Sequence, residues 1–222
     1  MQRIALYDLD RTVTRAPTFT PFLIHMAASG NPLRLLGVPL WVLAMLGYKA
    51  KLYGRKPLKQ FGLRLLAGRV VRSAALAPHI DAFVARQVAR NIQPGARAQI
   101  AADRAAGMDC VLVTAAPEIY ADAMASALGL AACIATRHQR DAAGNLLCGI
   151  DGANNYGSEK VARVEAWLTA QGLSRADCHI TAYTDHASDA PILNFADTGV
   201  LVGHYAKPHG GWSQADWSGA AA

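Results

Sequence analysis

Two aspartates lie two residues apart directly after a short apolar run near the start of the chain. The run extends from Ile4 to Tyr7, and Asp8 and Asp10 follow it. A short apolar run is typical of a buried parallel strand. At the end of such a strand, one carboxylate can attack a substrate while the other moves protons. The same spacing also occurs in ordinary turns and calcium loops, so the pair alone does not decide between a catalytic and a structural role.

A second apolar run, Cys110 to Val113, ends in the hydroxyl residue Thr114. Ala115 follows, and Pro117 indicates that a helix opens here, so we expect free backbone amides that favour an anion. Thr114 could equally be a helix cap. Lys160 lies near a predicted helix start, where the helix dipole does not favour a cation and a bound anion would explain its position. A surface lysine paired with a nearby carboxylate is the alternative.

Asp185 and Asp189 add two carboxylates after a further apolar strand, His179 to Tyr183. Mg²⁺ prefers oxygen ligands of this kind, although the segment could also be a helix-capping turn. Because functional groups gather at the carboxyl ends of parallel strands, we expect these side chains to meet Asp8 at one edge of a sheet. Taken singly, each of the four segments therefore has both a functional and a structural interpretation.

The elements that position these groups alternate between helix and strand from Pro94 onward. We predict helices over Ala96–Ala106, Pro117–Leu128 and Ser158–Gln171, strands over Cys133–Thr136 and Gly199–Val202, and a hairpin that turns at residues 143–145. This alternation is typical of an α/β fold with a doubly wound, mostly parallel sheet. The tail from Gly203 carries no pattern, and we expect it to be irregular.

The stretch between the first and second strands has a different character. Its sequence is helical in pattern, with helix starts predicted at Thr20-Pro21, Asn31-Pro32, Lys56-Pro57 and Pro78. Residues 11–80 contain eleven basic residues and no Asp or Glu, whereas the remainder has 11 basic and 16 acidic residues. We therefore predict an all-helical cap domain, residues 14–92, inserted into a catalytic core of residues 1–13 and 93–222.

Taken in order, these segments resemble the signature of the haloacid dehalogenase superfamily of phosphatases. The matching positions are Asp8, Asp10, Thr12, Thr114, Lys160, Asp185 and Asp189. The resemblance spans nearly the whole chain and implies a Rossmann-like core with a helical cap of the first type. Arg11 departs from the pattern, because glycine is usual at its position.

The resemblance also implies a role for each matching residue. Asp8 would attack phosphorus and form an aspartyl-phosphate, and Asp10 would act as general acid and then as general base. The groups that bind the phosphoryl oxygens would be Thr114, Ala115 and Lys160. The magnesium ion would be held by Asp8, the backbone carbonyl of Asp10 and Asp185, with Asp189 in support.

Two relatives within that superfamily suggest different substrates. Phosphoserine phosphatase is similar in the core motifs, but its cap glutamate for the substrate ammonium has no match here, since the insert has no acid before Asp81. The bacterial phosphatidylglycerophosphatases are similar in residues 31–33 and 156–161. We therefore expect a phospholipid monoester such as phosphatidylglycerophosphate, with a small soluble phosphometabolite as the alternative.

An uncharged apolar run, Leu35 to Tyr48, bears on the choice between a lipid and a soluble substrate. It is shorter than the about 20 residues needed to span a membrane, and Pro39 interrupts it. Because Arg34 and Lys49 flank it, the run could lie on an anionic membrane surface. The alternative is that it only packs against its neighbours in the cap.

Composition narrows the remaining classes of protein. The chain begins without the apolar stretch of a secretion signal, so we expect a cytoplasmic protein, with peripheral contact at the inner face of the membrane left open. Four scattered cysteines predict reduced thiols, with neither disulfides nor a zinc site. Basic residues interleaved with aliphatic ones argue against a nucleic-acid partner. A non-enzymatic protein that binds anionic surfaces is a less favoured alternative, as are dehalogenation and phosphomutase chemistry.

Overall fold

A six-stranded parallel sheet forms the centre of the computed structural model, which describes residues 1–203 and 211–219. The strands in chain order are β1 (Gln2–Tyr7), β2 (Val70–Val71), β3 (Asp109–Pro117), β4 (Ala132–Thr136), β5 (His138–Arg140), β6 (Leu146–Ile150), β7 (Cys178–Thr184), β8 (Thr198–Val202) and β9 (Ser213–Ala215). The central sheet has the order β4-β3-β1-β7-β8-β9. Because β1 pairs with both β3 and β7 in parallel, Asp8 lies between the carboxyl ends of its two neighbours.

Helices cover both faces of this sheet. The helices are α1 (Phe19–Gly30), α2 (Val38–Lys49), α3 (Arg55–Gly62), α4 (Ser73–Arg90), α5 (Pro94–Ala105), α6 (Glu118–Ala127), α7 (Ser158–Ala170) and α8 (Ala190–Phe195). Successive side chains of β1 point to opposite faces, so Ala5 and Tyr7 join one hydrophobic cluster and Ile4 and Leu6 the other. A sheet buried on both faces is the doubly wound α/β fold that the sequence predicted.

The insert between β1 and α5 holds α1 to α4, and its two ends lie side by side. Thr14 forms an antiparallel bridge with Ile92, and the Arg15 amide donates to the Asn91 carbonyl at 2.7 Å. These positions coincide with the predicted limits of the cap, whose status as a separate domain stays a prediction. The insert also contributes β2, which pairs with β6 and so extends the antiparallel hairpin formed by β5 and β6.

Aromatic side chains join the insert to the sheet. Phe22 of α1 and Phe83 of α4 lie with ring centroids 4.7 and 5.3 Å from that of Tyr120 in α6. All three residues are fully buried and belong to the same hydrophobic cluster as Ala5 and Tyr7 of β1. The insert and the central sheet therefore share one apolar core.

The helix start predicted at Pro78 is wrong. Helix α4 begins at Ser73, and Pro78 lies in its second turn. A proline removes one backbone donor there, which near the start of a helix affects only one hydrogen bond. The buried face of the helix, which includes Leu76 and Phe83, outweighs that loss.

The tail is not irregular throughout. Strand β9 pairs in parallel with β8 at the edge of the sheet, and Trp217 packs with its ring centroid 5.3 Å from that of Tyr183. A strand of three residues is too short to produce a hydrophobic pattern, and its tertiary contacts hold it in place. The other tail residues, 204–210 and 220–222, lie outside the described residues.

The apolar run Leu35 to Tyr48 forms the end of a 3₁₀ helix, Pro32–Gly37, and most of α2. Helix α2 buries Trp41, whereas Leu43 and Leu46 are 62% and 56% exposed. The run therefore packs through one side only and leaves leucines at the surface. Within residues 1–203 and 211–219, no helix has the length and apolar character that would let it cross a membrane.

Candidate active site

A tight turn after β1 brings Asp8 and Asp10 to the carboxyl edge of the sheet. In this turn, Leu9–Val13, the amides of Val13 and Thr14 donate to the carbonyls of Asp8 and Leu9, and Arg11 has a φ of 65°. This left-handed conformation costs a residue other than glycine about 1 kcal/mol. It therefore explains why the signature usually has glycine where this chain has arginine.

Asp8 is held by a buried lysine. Lys160 in the first turn of α7 is 2% exposed, and its ammonium group donates to Asp8 Oδ1 at 2.8 Å and to Asp189 Oδ2 at 2.7 Å. The alternative of a solvated surface lysine is therefore wrong. Burial raises the pKa of Asp8 to about 7, although the positive charge of Lys160 opposes this shift.

The Thr12 hydroxyl links the first turn to the end of β7. It accepts from the Asp185 amide at 2.8 Å and lies 3.5 Å from both Asp8 Oδ2 and Asp185 Oδ1. The strand ends thus bring Asp8, Asp185 and Asp189 together as the sequence led us to expect, and the Thr184 hydroxyl donates to Asp189 Oδ2 at 3.0 Å.

Asp10 is oriented by a residue of the insert. Its Oδ1 atom accepts from the Thr18 amide at 2.8 Å and from the Thr18 hydroxyl at 2.7 Å. The Thr18 hydroxyl also lies 2.9 Å from the Tyr120 hydroxyl. Burial raises the pKa of Asp10 in spite of the bonds from Thr18. A raised pKa favours the protonated form that a general acid needs.

The helix predicted from Pro117 is confirmed to within one residue at its start, because β3 continues to Pro117 and α6 begins at Glu118. Strand pairing accounts for the difference, since Pro117 is in register with Thr136 of β4. Thr114 is buried, and its hydroxyl accepts from the Ala116 amide at 3.0 Å. Both Thr114 and Ala115 still line the cavity above Asp8.

The donor set fits magnesium chemistry. Asp8, Asp185 and Asp189 supply carboxylate oxygens, and Asp189 Oδ1 is buried without a hydrogen-bond partner among the described residues. In the part of the chain that the structure describes, no three His, Cys, Asp or Glu side chains converge on one metal position. Mg²⁺ does not need such a cage, because it is commonly held by one or two carboxylates, water and substrate phosphate.

Helices α1, α2 and α3 of the insert line a cavity of ≈ 480 Å³ above these groups. Its floor includes Asp8, Asp10 and Lys160, and its walls come largely from the insert. The insert residues that line it are Pro17, Phe19, Thr20, Trp41, Met45, Tyr48, Lys49, Arg55, Leu58 and Lys59. These walls combine apolar and aromatic side chains with basic ones, and they contain no carboxylate.

Sequence reasoning did not identify Thr18 or Lys59 as site residues. Lys59 in α3 donates to the Ala115 carbonyl at 2.5 Å and to Asn154 Oδ1 at 2.6 Å. One signal was available, since Arg55 and Lys59 are four residues apart and so share one face of a helix. The pattern gave no reason to place that face over Asp8.

Comparisons with known proteins agree with this geometry. Residues 5–194 match the family model described as haloacid dehalogenase-like hydrolase. The chain is 30% identical over 196 residues to Protein CicA of Caulobacter vibrioides, a match that covers 87% of this chain and 83% of that protein.

Solved structures give the same fold. A protein with unknown function from Bordetella pertussis Tohama I aligns with a TM-score of 0.83 and 25% identity, covering 98% of this chain and 99% of its own. A phosphoserine phosphatase from T. onnurineus aligns with a TM-score of 0.58 and 18% identity, covering 96% and 88%. At that identity, the second likeness concerns the fold alone.

Proposed function

Because the chain belongs to the family of haloacid dehalogenase-like hydrolases, we propose that it is a phosphatase that hydrolyses phosphoric monoesters with Asp8 as the nucleophile. The observation that carries the proposal is the buried contact of 2.8 Å between Lys160 Nζ and Asp8 Oδ1 at the floor of the cavity. That contact orients one carboxylate oxygen and supplies positive charge where a phosphoryl group would lie.

The proposed reaction has two steps. Asp8 Oδ2 attacks phosphorus, the ester P–O bond breaks, and its electron pair stays on the leaving oxygen, which takes a proton from Asp10. Asp10 then removes a proton from water, whose oxygen attacks the aspartyl-phosphate and releases phosphate from Asp8. The raised pKa of Asp10 suits the first step, and its bonds from Thr18 keep the same carboxyl group in place for the second.

Magnesium is part of the proposal. Asp8, the backbone carbonyl of Asp10 and Asp185 would hold the ion, with Asp189 behind them. When bound, magnesium would neutralise charge on the phosphoryl oxygens and on the crowded carboxylates. Lys160 orients Asp8 from the side of α7, and Thr12 bridges Asp8 and Asp185.

We propose further that the substrate is an anionic phospholipid monoester, with phosphatidylglycerophosphate as the candidate. The support is an apolar groove on the outer side of α2, lined by residues that include Leu40, Leu43, Leu46 and Leu52, which are 49%, 62%, 56% and 76% exposed. Lys49 and Lys51 lie beside this groove in sequence. Exposed leucines next to basic residues favour contact with an anionic membrane surface.

A small soluble phosphometabolite, as in a phosphoserine phosphatase, is the second candidate. The fold is equally compatible with a soluble substrate and with a lipid. The cavity lining argues against an amino-acid phosphate as the substrate, because the insert residues that line the cavity include no carboxylate to bind an ammonium group.

The reaction is tested by phosphate release from p-nitrophenyl phosphate in the presence of Mg²⁺. We expect Asp8→Asn to abolish turnover while the fold stays intact, since an amide is a very poor nucleophile. The matched control is Asp197→Asn, which changes a half-exposed carboxylate bonded to Arg175 away from the site. Retained turnover in folded Asp8→Asn would exclude the covalent mechanism.

The substrate is tested by comparing phosphatidylglycerophosphate with phosphoserine, and by sedimentation with vesicles. We expect faster hydrolysis of the lipid than of phosphoserine. We also expect the protein to bind anionic but not neutral vesicles, and salt should reverse this binding. The double variant Leu43→Ser/Leu46→Ser should lose this binding, whereas Val70→Thr, at a separate exposed apolar position, should keep it. Equal turnover of both substrates, or equal binding to neutral and anionic vesicles, would favour a soluble substrate instead.

A further inference from the structure

Lys59 reaches from the insert into the catalytic cavity. Its ammonium group donates to the Ala115 carbonyl and to Asn154 Oδ1, at 2.5 and 2.6 Å, and it lies 5.8 Å from the centroid of the Phe19 ring. An ammonium group has three N–H donors. Within residues 1–203 and 211–219 two of them have acceptors, and the third is available to a ligand in the cavity.

Contacts of the insert place Lys59 near Asp10. Its ammonium group lies 5.8 Å from the centroid of the Phe19 ring, and the preceding residue in the chain, Thr18, donates to Asp10 Oδ1 through its amide at 2.8 Å and its hydroxyl at 2.7 Å. Asp10 is the proposed proton donor to the leaving oxygen, whereas the phosphoryl end already has Lys160 at Asp8. The cavity therefore holds a second cation, Lys59, in addition to the one bonded to Asp8.

We propose that Lys59 is a specificity-determining residue that binds a second anionic group, carried by the leaving group of the substrate. The inference rests on the proposed phosphatase function. Arg55, which lines the same cavity and stacks 3.6 Å from the Tyr156 ring centroid, adds positive charge beside it. In a phospholipid monoester with two phosphates, the second anionic group is the phosphodiester that joins the head group to the lipid.

If Lys59 only held the insert against the core, replacing it should have the same effect as replacing Lys56. Lys56 on the same helix also joins the insert to the core, since it donates to the Gly152 carbonyl at 2.5 Å, but it is exposed and does not line the cavity. The Ala115 carbonyl keeps a donor without Lys59, because the Thr136 hydroxyl lies 2.8 Å from it; that hydroxyl also lies 3.3 Å from Asn154 Oδ1 but has only one hydrogen to donate. Lys56→Met is thus a matched control.

The experiment measures competitive inhibition of p-nitrophenyl phosphate hydrolysis by two probes. Glycerophosphoglycerol carries the phosphodiester without the monoester, and inorganic phosphate occupies the monoester position. In Lys59→Met we expect the Ki of glycerophosphoglycerol to rise about 10- to 150-fold, the loss expected for one hydrogen bond to a charged group. The Ki of phosphate should rise clearly less, because Lys160 at Asp8 still supplies a cation for the phosphoryl group.

Three further variants distinguish a specificity role of Lys59 from a structural one. Lys59→Arg should keep the wild-type ratio of the two Ki values, Lys59→Gln should repeat the effect of Lys59→Met, and Lys56→Met should leave the ratio unchanged. An unchanged ratio in Lys59→Met, or an equal rise for both probes, would overturn the proposal. If the wild type hydrolyses no p-nitrophenyl phosphate, the phosphatase function fails, and calorimetric titration with glycerophosphoglycerol still tests Lys59.

Discussion

Replacing Lys160 with methionine removes the cation that joins Asp8 and Asp189 below the cavity. Lys160 is 2% exposed and donates to the two carboxylates at 2.8 and 2.7 Å. Methionine fills a similar volume but leaves both carboxylates without this partner. Breaking a buried ion pair from one side costs about 3–5 kcal/mol, so we expect the free energy of unfolding to fall by that amount.

The loss should depend on pH. Burial already raises the pKa of Asp8 to about 7, and removal of Lys160 raises it further. A carboxyl group whose pKa is higher in the folded than in the unfolded state loses stability as pH rises between the two values. The free energy lost in Lys160→Met should therefore be greater at about pH 8.5 than at about pH 6.

Urea and thermal unfolding in the presence of chelator would measure this loss. For a chain of this length we expect the melting temperature to fall by about 6–20 °C. The exposed Lys56→Met serves as the control and should stay within about 0.5 kcal/mol of the wild type. Adding Asp8→Asn to Lys160→Met should restore part of the stability. A loss below about 1 kcal/mol, or one that grows toward acid pH, would refute the reasoning about the buried cation.

Three other predictions concern activity and ligand binding. Asp10→Asn should lower kcat about 10²- to 10⁴-fold in a steady-state assay, because the leaving oxygen loses its proton donor; a smaller loss would assign the proton to another group. Chelator should abolish turnover and Mg²⁺ restore it, with Asp185→Ala needing more Mg²⁺; full activity in chelator would exclude the metal. Burial lowers the pKa of Lys59 to about 8, so the wild-type affinity for glycerophosphoglycerol should fall above that pH as the amine loses its proton. Lys59→Met should lose that pH dependence, and a flat wild-type profile would contradict the assignment.

The residues at the strand ends could be predicted because their positions follow from topology. Asp8, Thr114 and Asp185 come after apolar runs, and parallel strands carry their carboxyl ends to one edge of the sheet. Lys160 was predicted less directly, from a cation at a helix start. Its ion pairs with two carboxylates depend on the packing of α7 against the sheet, which spacing alone does not give.

The walls of the site could not be predicted in the same way. Thr18 and Lys59 belong to the insert, and they reach Asp10 and Ala115 only because the insert packs over the carboxyl edge of the sheet. The helix start predicted at Pro117 lies one residue too early, because a proline fits the end of a strand as well as the start of a helix. Local sequence supports both readings, and strand pairing at Pro117 decides between them.

The aromatic contact between the insert and the sheet has a consequence for how the molecule melts. Phe22 and Phe83 share a buried cluster with Tyr120, so opening the insert would expose all three rings to water. A lid that swings on flexible hinges would unfold in its own calorimetric step, below the temperature at which the sheet unfolds. With a common core, the helices and the sheet should unfold together in one cooperative transition, with equal calorimetric and van't Hoff enthalpies.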